Sequence, residues 1–195
     1  AIADWLEGLT PEQLATPSLC EGWTVQDVAA HLTTLCSVSF PAMTWRIMKA
    51  GGSFPKAVDR LTHDLSRRRP TSALVAGLRA NATNGKHPPT VPAAPLTDAI
   101  VHGEDMRRPL GAVRDVPLPA ARTALEFVAS GRDRGTFVPR GRLRGLRLVA
   151  TDQDWASGEG DEIRGASLPL LLGALGRKVA LPELTGAVNA LQGRL

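Results

Sequence analysis

The stretch "GWTVQDVAAHL", residues 22–32, predicts the first turns of an amphipathic helix. Thr24 suits the N-cap, and Asp27, three residues later, suits the second position of a capping-box-like pair. The side chain of each can accept a hydrogen bond from a backbone N–H that has no partner within the helix. His31 lies at the border of the apolar face. Its position leaves three roles open: a metal ligand, a general base or a polar residue at the edge of a core. The apolar face itself consists of Val25, Val28, Ala29, Leu32, Leu35 and Cys36.

The residues on either side of this helix predict a largely helical chain up to residue 131. The first helix extends toward residues 41–52, where Pro41 kinks or interrupts it and Gly51 and Gly52 end it. Several helices joined by short connections favour an antiparallel bundle. The further helices are expected at residues 54–69, 70–83, 96–108 and 118–130, with a loop at 84–95.

The pattern changes near residue 138, where short strands replace helices. Apolar and charged residues alternate over residues 146–148, and residues 161–165 suit a second strand. An apolar helix follows within residues 166–178. The sequence thus predicts an α+β fold with two domains, a helical bundle over residues 1–137 and a small α/β domain over residues 138–195.

The composition favours a chain with a substantial apolar core, since 43% of its residues are hydrophobic. No apolar run approaches the roughly 20 residues of a membrane span, and the first residues lack the basic and apolar segments of a leader. We therefore expect a soluble, cytoplasmic protein without a membrane partner. Cys20 and Cys36 form neither a disulfide framework nor a Cys-x-x-Cys motif, so each is expected to be a small buried apolar side chain.

Arginines concentrate near residues 131–149 of a chain whose net charge is +4. Such a cluster can attract phosphates or carboxylated ligands, but it is also typical of a solvated linker followed by the exposed face of an edge strand. Nucleic acid is the third and least expected partner class, because the arginines alone support it. The cluster comprises Arg132, Arg134, Arg140, Arg142, Arg144 and Arg147.

A second stretch, "TDAIVHGEDMRRPLG" at residues 97–111, places two possible metal ligands on one helix. Asp98 and His102 are four residues apart, so they lie on adjacent turns of one face, within reach of a shared ion. The same spacing also produces ordinary surface hydrogen bonds. If His31 meets this pair at one end of the bundle, two imidazoles and one carboxylate would bind a divalent ion and leave positions open for water or substrate.

Other titratable residues compete for these roles. Glu104 and Asp105 are alternative carboxylates, and Asp105 would either support the imidazole of His102 or pair with Arg108. Two further histidines are expected to be exposed to solvent, one on a polar helix face and one in a proline-rich loop: His63 and His87.

The two histidine stretches resemble those of the mycothiol-dependent maleylpyruvate isomerase family. The motifs are "LCEGWTVQDVAAHL" and "DAIVHGEDMRRPLG", and their order and separation also match. The resemblance implies that the helical part is a DinB-like four-helix bundle. The tail, "LRLVATDQDWASGEGDEIRGASLPLLLGALGRK", is similar to the small C-terminal domain of that family, which is related to sterol-carrier-protein (SCP2-like) folds.

In this family a divalent metal, usually zinc, is held by two histidines and a carboxylate, and mycothiol is the cosubstrate. The resemblance assigns the metal to His31, Asp98 and His102. Asp98 stands where better-known members have glutamate and is one methylene shorter, which leaves direct binding, binding through water and no binding open. The metal would hold mycothiol as a thiolate, which would attack a small electrophilic, carboxylated substrate for isomerisation or conjugation.

The resemblance also implicates two residues of the tail. Arg177 lies where the family commonly ends its last apolar helix with Gly-Arg. It would act in catalysis by holding a substrate carboxylate. The alternative is that it only interacts with the dipole of that helix. Trp155 would line the cosubstrate pocket or seal the core. The alternative function is a non-catalytic module that binds a ligand or partner, with the metal structural or absent. In either case we expect a monomer or a homodimer.

Overall fold

The computed structural model describes residues 2–34, 38–82, 93–112, 114–131 and 137–195. The chain divides into two compact units. The first is formed by Ala1–His87 and His102–Val113, and the second by Pro88–Val101 and Arg114–Leu195. The predicted α+β fold is confirmed.

The described part of the first unit is helical. Its first six helices are α1 (Ile2–Glu7), α2 (Pro11–Leu14), α3 (Val25–Thr34), α4 (Phe40–Lys49), α5 (Phe54–Arg68) and α6 (Thr71–Ala82). Within the unit α3 packs against α5 and α6, and α6 also packs against α1. The most deeply buried apolar side chains of its core include Leu6, Val25, Val28, Ala29, Leu74 and Met106.

The start of α3 is the predicted capping arrangement. The Thr24 hydroxyl and the Thr24 backbone N–H donate to Asp27 Oδ2 at 2.7 and 2.9 Å, and the Asp27 backbone N–H donates to the Thr24 hydroxyl at 3.2 Å. These bonds satisfy backbone donors that a first helical turn leaves open. The predicted helix is therefore confirmed as far as Thr34, whereas Leu35 and Cys36 lie outside the described residues.

Pro41 interrupts the predicted long helix by beginning a new one. It lies in the first turn of α4, where a proline costs little because the first backbone N–H groups have no partner inside the helix. Gly51 and Gly52 follow α4 with φ angles of 69° and 82°, which a residue with a Cβ adopts only at a cost. The predicted end of this helix is confirmed.

The next helix, α7 (Ala93–Arg107), crosses from the second unit into the first without a break. It begins three residues earlier than predicted, so the expected loop is wrong for residues 93–95. Pro95 is tolerated there because it lies in the first turn of the helix. Residues 84–92, which include His87, lie outside the described residues.

The second unit contains α8 (Leu118–Ala129) and a four-stranded sheet. Its strands are β1 (Leu146–Ala150), β2 (Ala156–Gly158), β3 (Asp161–Gly165) and β4 (Thr185–Gly186), in the order β2-β1-β3-β4. The central strands β1 and β3 are parallel, with Leu148 opposite Ile163, and the two outer pairs are antiparallel. The predicted strands are confirmed as β1 and β3. The outer strands were not predicted, because they are only three and two residues long and carry no alternating pattern.

The unit also contains α9 (Ser167–Ala174), which is the predicted apolar helix, a 3-10 helix (Lys178–Glu183) and α10 (Val188–Gln192). Because α9 packs against α8, β1 and β3, one apolar core joins α8 to the sheet. The limits of the compact units differ from the predicted domain limits of residues 1–137 and 138–195. A compact unit and a sequence domain need not coincide, so the domain limits stay a prediction. No described helix is long and apolar enough to cross a membrane.

Candidate metal centre

The helix α3 places His31 in the interior of the first unit. Its capping bonds fix where it begins, and His31 follows Asp27 by about one turn. Only 7% of His31 is exposed. The Trp23 ring packs beside its imidazole, with the ring centroids 5.0 Å apart. His31 is therefore a buried imidazole rather than a polar residue at a solvated edge.

The helix α7 places Asp98 and His102 beside His31. One possible ligand atom of each residue lies within 4.8 Å of those of the other two. The imidazole centroids of His31 and His102 are also 4.8 Å apart, with the ring planes nearly perpendicular at 78°. Asp98 and His102 are fixed relative to each other, because α7 is continuous between them. The three predicted ligands thus come together, while their role as ligands stays a prediction.

This donor set fits a small divalent ion. Two imidazole nitrogens and one carboxylate oxygen are the kind of set that holds zinc in sites with an open position. Ligand atoms about 2.0–2.2 Å from a tetrahedral ion lie about 3.4 Å from one another. Side-chain rotation can close the difference from a spacing of at most 4.8 Å. The Asp98 Oδ2 atom is shielded from solvent, which suits a carboxylate that faces a cation.

The Nδ1 atom of His102 meets a second group of polar atoms. Asp105 Oδ2 is 2.9 Å from His102 Nδ1, and the Cys20 thiol donates to the same oxygen at 3.1 Å. The prediction of Cys20 as a buried apolar side chain is wrong, because it is half-buried and its sulfur lies among polar atoms. The placement of Asp105 beside His102 is confirmed, whereas Arg108 pairs with Glu104 at 3.3 Å.

A tight loop before α3 brings Cys20 to this position. The Ser18 backbone N–H donates to the Trp23 carbonyl at 2.8 Å, which turns the chain back on itself. The Leu19 N–H then donates to the Asp105 carbonyl at 3.0 Å and joins the loop to α7. Sequence periodicity carries no signal for this contact, because it links a loop to a helical residue 85 positions further along the chain.

A polar network lies on the far side of Trp23. The Trp23 indole N–H donates to Asp59 Oδ1 at 2.9 Å. His63 lies between Asp27 and Asp59, at 3.4 and 3.6 Å from their carboxylates. The prediction of a solvent-exposed His63 is wrong, since its side chain is only 32% exposed. It was missed because the polar face of α5 on which it lies packs against α3.

The pKa of Asp27 is lowered within this network. Burial alone would raise it, but hydrogen bonds from Thr24 and Ser66, together with the nearby His63, outweigh the burial. Asp27 therefore keeps its negative charge at neutral pH. The helix that carries His31 is capped by an ionised carboxylate.

The two residues implicated in the tail, Arg177 and Trp155, belong to the second unit. Arg177 Nη1 donates at 3.0 Å to the carbonyl of Leu175, the C-cap of α9, which is the contact that the helix-dipole alternative expects. Trp155 is buried in the apolar core of its unit, as the packing alternative expects. A ligand role for either residue stays a prediction.

The arginine cluster is largely solvated where the structure describes it. Arg142 is half-buried, and the other described members are exposed: Arg140, Arg144 and Arg147. Arg147 lies 3.4 Å from Glu162 across β1 and β3. The expected edge strand is wrong, since β1 is central in the sheet. Arg132 and Arg134 lie outside the described residues.

Fold and site together define an α+β protein in which two imidazoles and a carboxylate lie within reach of one ion. The chain belongs to the mycothiol maleylpyruvate isomerase N-terminal domain family, whose model matches residues 1–146. This match confirms the family resemblance seen in the sequence.

Two solved structures share the fold. They are crystal structures of the mycothiol-dependent maleylpyruvate isomerase, with a TM-score of 0.60, and of a histidine-to-alanine mutant of it, with a TM-score of 0.59. Each is 17% identical in sequence, and each match covers 95% of this chain and 87% of the other. Among curated proteins, no sequence matches the chain.

Proposed function

We propose that this chain is a metal-dependent enzyme that uses mycothiol as cosubstrate and acts as an isomerase or a thiol transferase. The thiol sulfur attacks an electrophilic carbon of a small, carboxylated substrate. The observation that carries the proposal is the convergence of His31, Asp98 and His102, in a member of this family, to within 4.8 Å. These three residues would hold a divalent ion, with zinc the expected one.

Asp98 supports this assignment although it is shorter than the glutamate of better-known family members. Its ligand atom already lies within 4.8 Å of the ligand atoms of both histidines. The missing methylene therefore does not remove the carboxylate from the group.

The chemistry of the site would come from the ion and from the residues that surround it. A bound divalent ion lowers the pKa of a thiol that coordinates it, so that the nucleophilic thiolate is present at neutral pH. Trp23 packs beside His31, and its ring centroid is 6.4 Å from that of His102. Asp105 holds His102 through its Nδ1 atom.

Arg177 is the proposed partner of the substrate carboxylate. Its contact with the Leu175 carbonyl orients the side chain. Because a guanidinium carries five N–H donors, that contact is compatible with a further bond to a carboxylate. The partners of the proposed enzyme are thus small molecules, a thiol and an acid, with the chain acting as a monomer or homodimer.

Elemental analysis tests the metal assignment. The protein is purified without chelator and without affinity-tag metal, beside His31→Ala and His102→Ala. We expect about one zinc ion per wild-type chain and loss of the ion in both variants, because each removes one of three protein ligands. His63→Ala is the matched control, since it removes a half-buried histidine outside the ligand group and should keep the ion.

Mycothiol-dependent turnover of electrophilic acids then tests the reaction. Turnover that requires both the thiol and the ion would support the proposal. An ion that binds without any turnover would favour a binding module with a structural metal. Absence of bound metal, even after zinc is supplied, would refute the metal-dependent function.

A further inference from the structure

His102 belongs to two groups of possible ligand atoms, one with His31 and Asp98 and one with Cys20 and Asp105, and its Nδ1 atom faces Asp105 and Cys20. We propose that Cys20 and Asp105 are positioning residues, which orient the His102 imidazole so that Nε2 is its metal-binding atom. This inference rests on the proposed metal site.

The hydrogen bond to Asp105 selects one form of the imidazole. A carboxylate is only an acceptor, so the 2.9 Å contact with Oδ2 places the ring proton on His102 Nδ1. Nε2 then carries the lone pair that a metal requires. Asp105 is 0% exposed, so water does not compete for this bond. Asp105 thus fixes both the tautomer and the direction of the ring.

Cys20 fixes the position of the carboxylate oxygen. Its thiol donates to Asp105 Oδ2 at 3.1 Å, so the same oxygen accepts from the thiol and from the imidazole. The Cys20 sulfur also lies 3.5 Å from His102 Nδ1 and fills the space beside the ring. The neighbouring Leu19 N–H donates to the Asp105 carbonyl at 3.0 Å. The loop therefore holds Asp105 through both its side chain and its backbone.

The distances favour positioning over metal binding by Cys20 itself. The ligand atoms of Cys20, His102 and Asp105 also lie within 4.8 Å of one another, so the three residues form a possible metal-binding group of their own. Around a tetrahedral zinc ion such nitrogen, oxygen and sulfur ligands are about 3.4–3.6 Å apart. The 2.9 Å nitrogen–oxygen and 3.1 Å sulfur–oxygen contacts are shorter and match hydrogen bonds.

Metal titration of matched variants tests the inference. We expect Asp105→Asn to lower the affinity for Co2+ or Zn2+ by about 10-fold or more, and Cys20→Ala to lower it by a smaller factor. Cys20→Ser should restore the affinity to within about 3-fold of wild type, because a hydroxyl donates to the same oxygen. Glu21→Gln is the control. Glu21 is an exposed residue of the same loop, next to Cys20, and this change should leave the affinity unchanged.

Two spectra separate positioning from a purely structural role. In the metal-free protein, nitrogen-15 NMR should show the Nδ1–H tautomer of His102, with the signal assigned by its loss in His102→Gln. The Co2+ form should lack a thiolate-to-cobalt charge-transfer band. A band present in wild type and absent from Cys20→Ser would overturn the inference, because Cys20 would then be a ligand.

The outcomes also separate this inference from the proposed function. Wild-type metal binding with unchanged affinity in both Asp105→Asn and Cys20→Ala would overturn the positioning role alone. A wild-type protein that binds neither ion would overturn the metal-dependent function and this inference with it. Reduced affinity with rescue by Cys20→Ser would support both.

Discussion

The two compact units differ in what their cores contain. Among the described residues, the buried polar side chains of the first unit are Asp27, His31, Thr33, Thr34, Thr62, Ser66, Glu104, Asp105 and Arg107, whereas those of the second are Thr97 and Ser167, together with the shielded Oδ2 atom of Asp98. Burial of a polar group costs free energy unless hydrogen bonds compensate it. The first unit therefore depends on hydrogen bonds inside its core, such as those of Asp27 and Asp105, far more than the second does. This difference indicates that most of the buried polar residues lie in the first unit.

The largest expected effect is a stability change in the second unit. Leu171 is 0% exposed at the centre of α9, so Leu171→Ala removes well-packed apolar contacts and leaves a cavity. We expect the free energy of unfolding to fall by about 2–5 kcal/mol, measured by urea denaturation followed by circular dichroism. Val179→Ala, at a residue that is 46% exposed, is the control and should cost less than about 0.5 kcal/mol. A loss below about 1 kcal/mol in Leu171→Ala would contradict a tightly packed second core.

The next effect concerns metal affinity at the proposed ligand group. Asp98→Ala removes the only carboxylate of the proposed group. We expect the affinity for Zn2+ to fall by about 100-fold or more, because loss of a residue that only supports a metal ligand already lowers metal affinity by about 10–100-fold. Asp98→Glu keeps the carboxylate and should stay within about 10-fold of wild type. Isothermal titration calorimetry measures both. Unchanged affinity in Asp98→Ala would show that the carboxylate is not a ligand.

The same contrast explains what the sequence could predict. Helical periodicity and a capping pair were enough to place His31 on α3, and a four-residue spacing placed Asp98 and His102 on α7, because these signals are local. Cys20 was misjudged because its partner Asp105 is distant in sequence and its approach depends on a loop hydrogen bond. His63 was misjudged because a polar helix face can be buried when it meets carboxylates. Periodicity does not register such tertiary hydrogen bonds.

Asp27 allows a smaller test that depends on pH. Its pKa in the folded protein lies below the ordinary 3.8. A lowered carboxylate pKa stabilises the folded state fully above the unfolded pKa, and this stabilisation is lost as the pH falls through the folded pKa. Asp27→Asn should therefore cost about 1 kcal/mol near neutral pH, as a lost capping interaction does, and less as the pH falls below 3.8.

Urea unfolding of the metal-free protein at several pH values measures this difference. Metal-free protein is required because protonation of the proposed ligands would otherwise add its own pH dependence. Asp64→Asn is the control, since Asp64 lies on the exposed part of the same helix as His63 and pairs only with Arg67 among the described residues. A difference between wild type and Asp27→Asn that grows toward low pH would contradict the lowered pKa.

The smallest expected effect lies outside both cores. Arg67 is 72% exposed and lies 3.1 Å from Asp64 on α5. Water screens such a pair and side-chain ordering opposes it, so Arg67→Ala should change the free energy of unfolding by less than about 0.5 kcal/mol in the same urea assay. Metal affinity should also stay at the wild-type value. A fall of more than about 1 kcal/mol in the free energy of unfolding would show that exposed charges, and not only the buried polar groups, stabilise the first unit. The two units would then differ in more than the polarity of their cores.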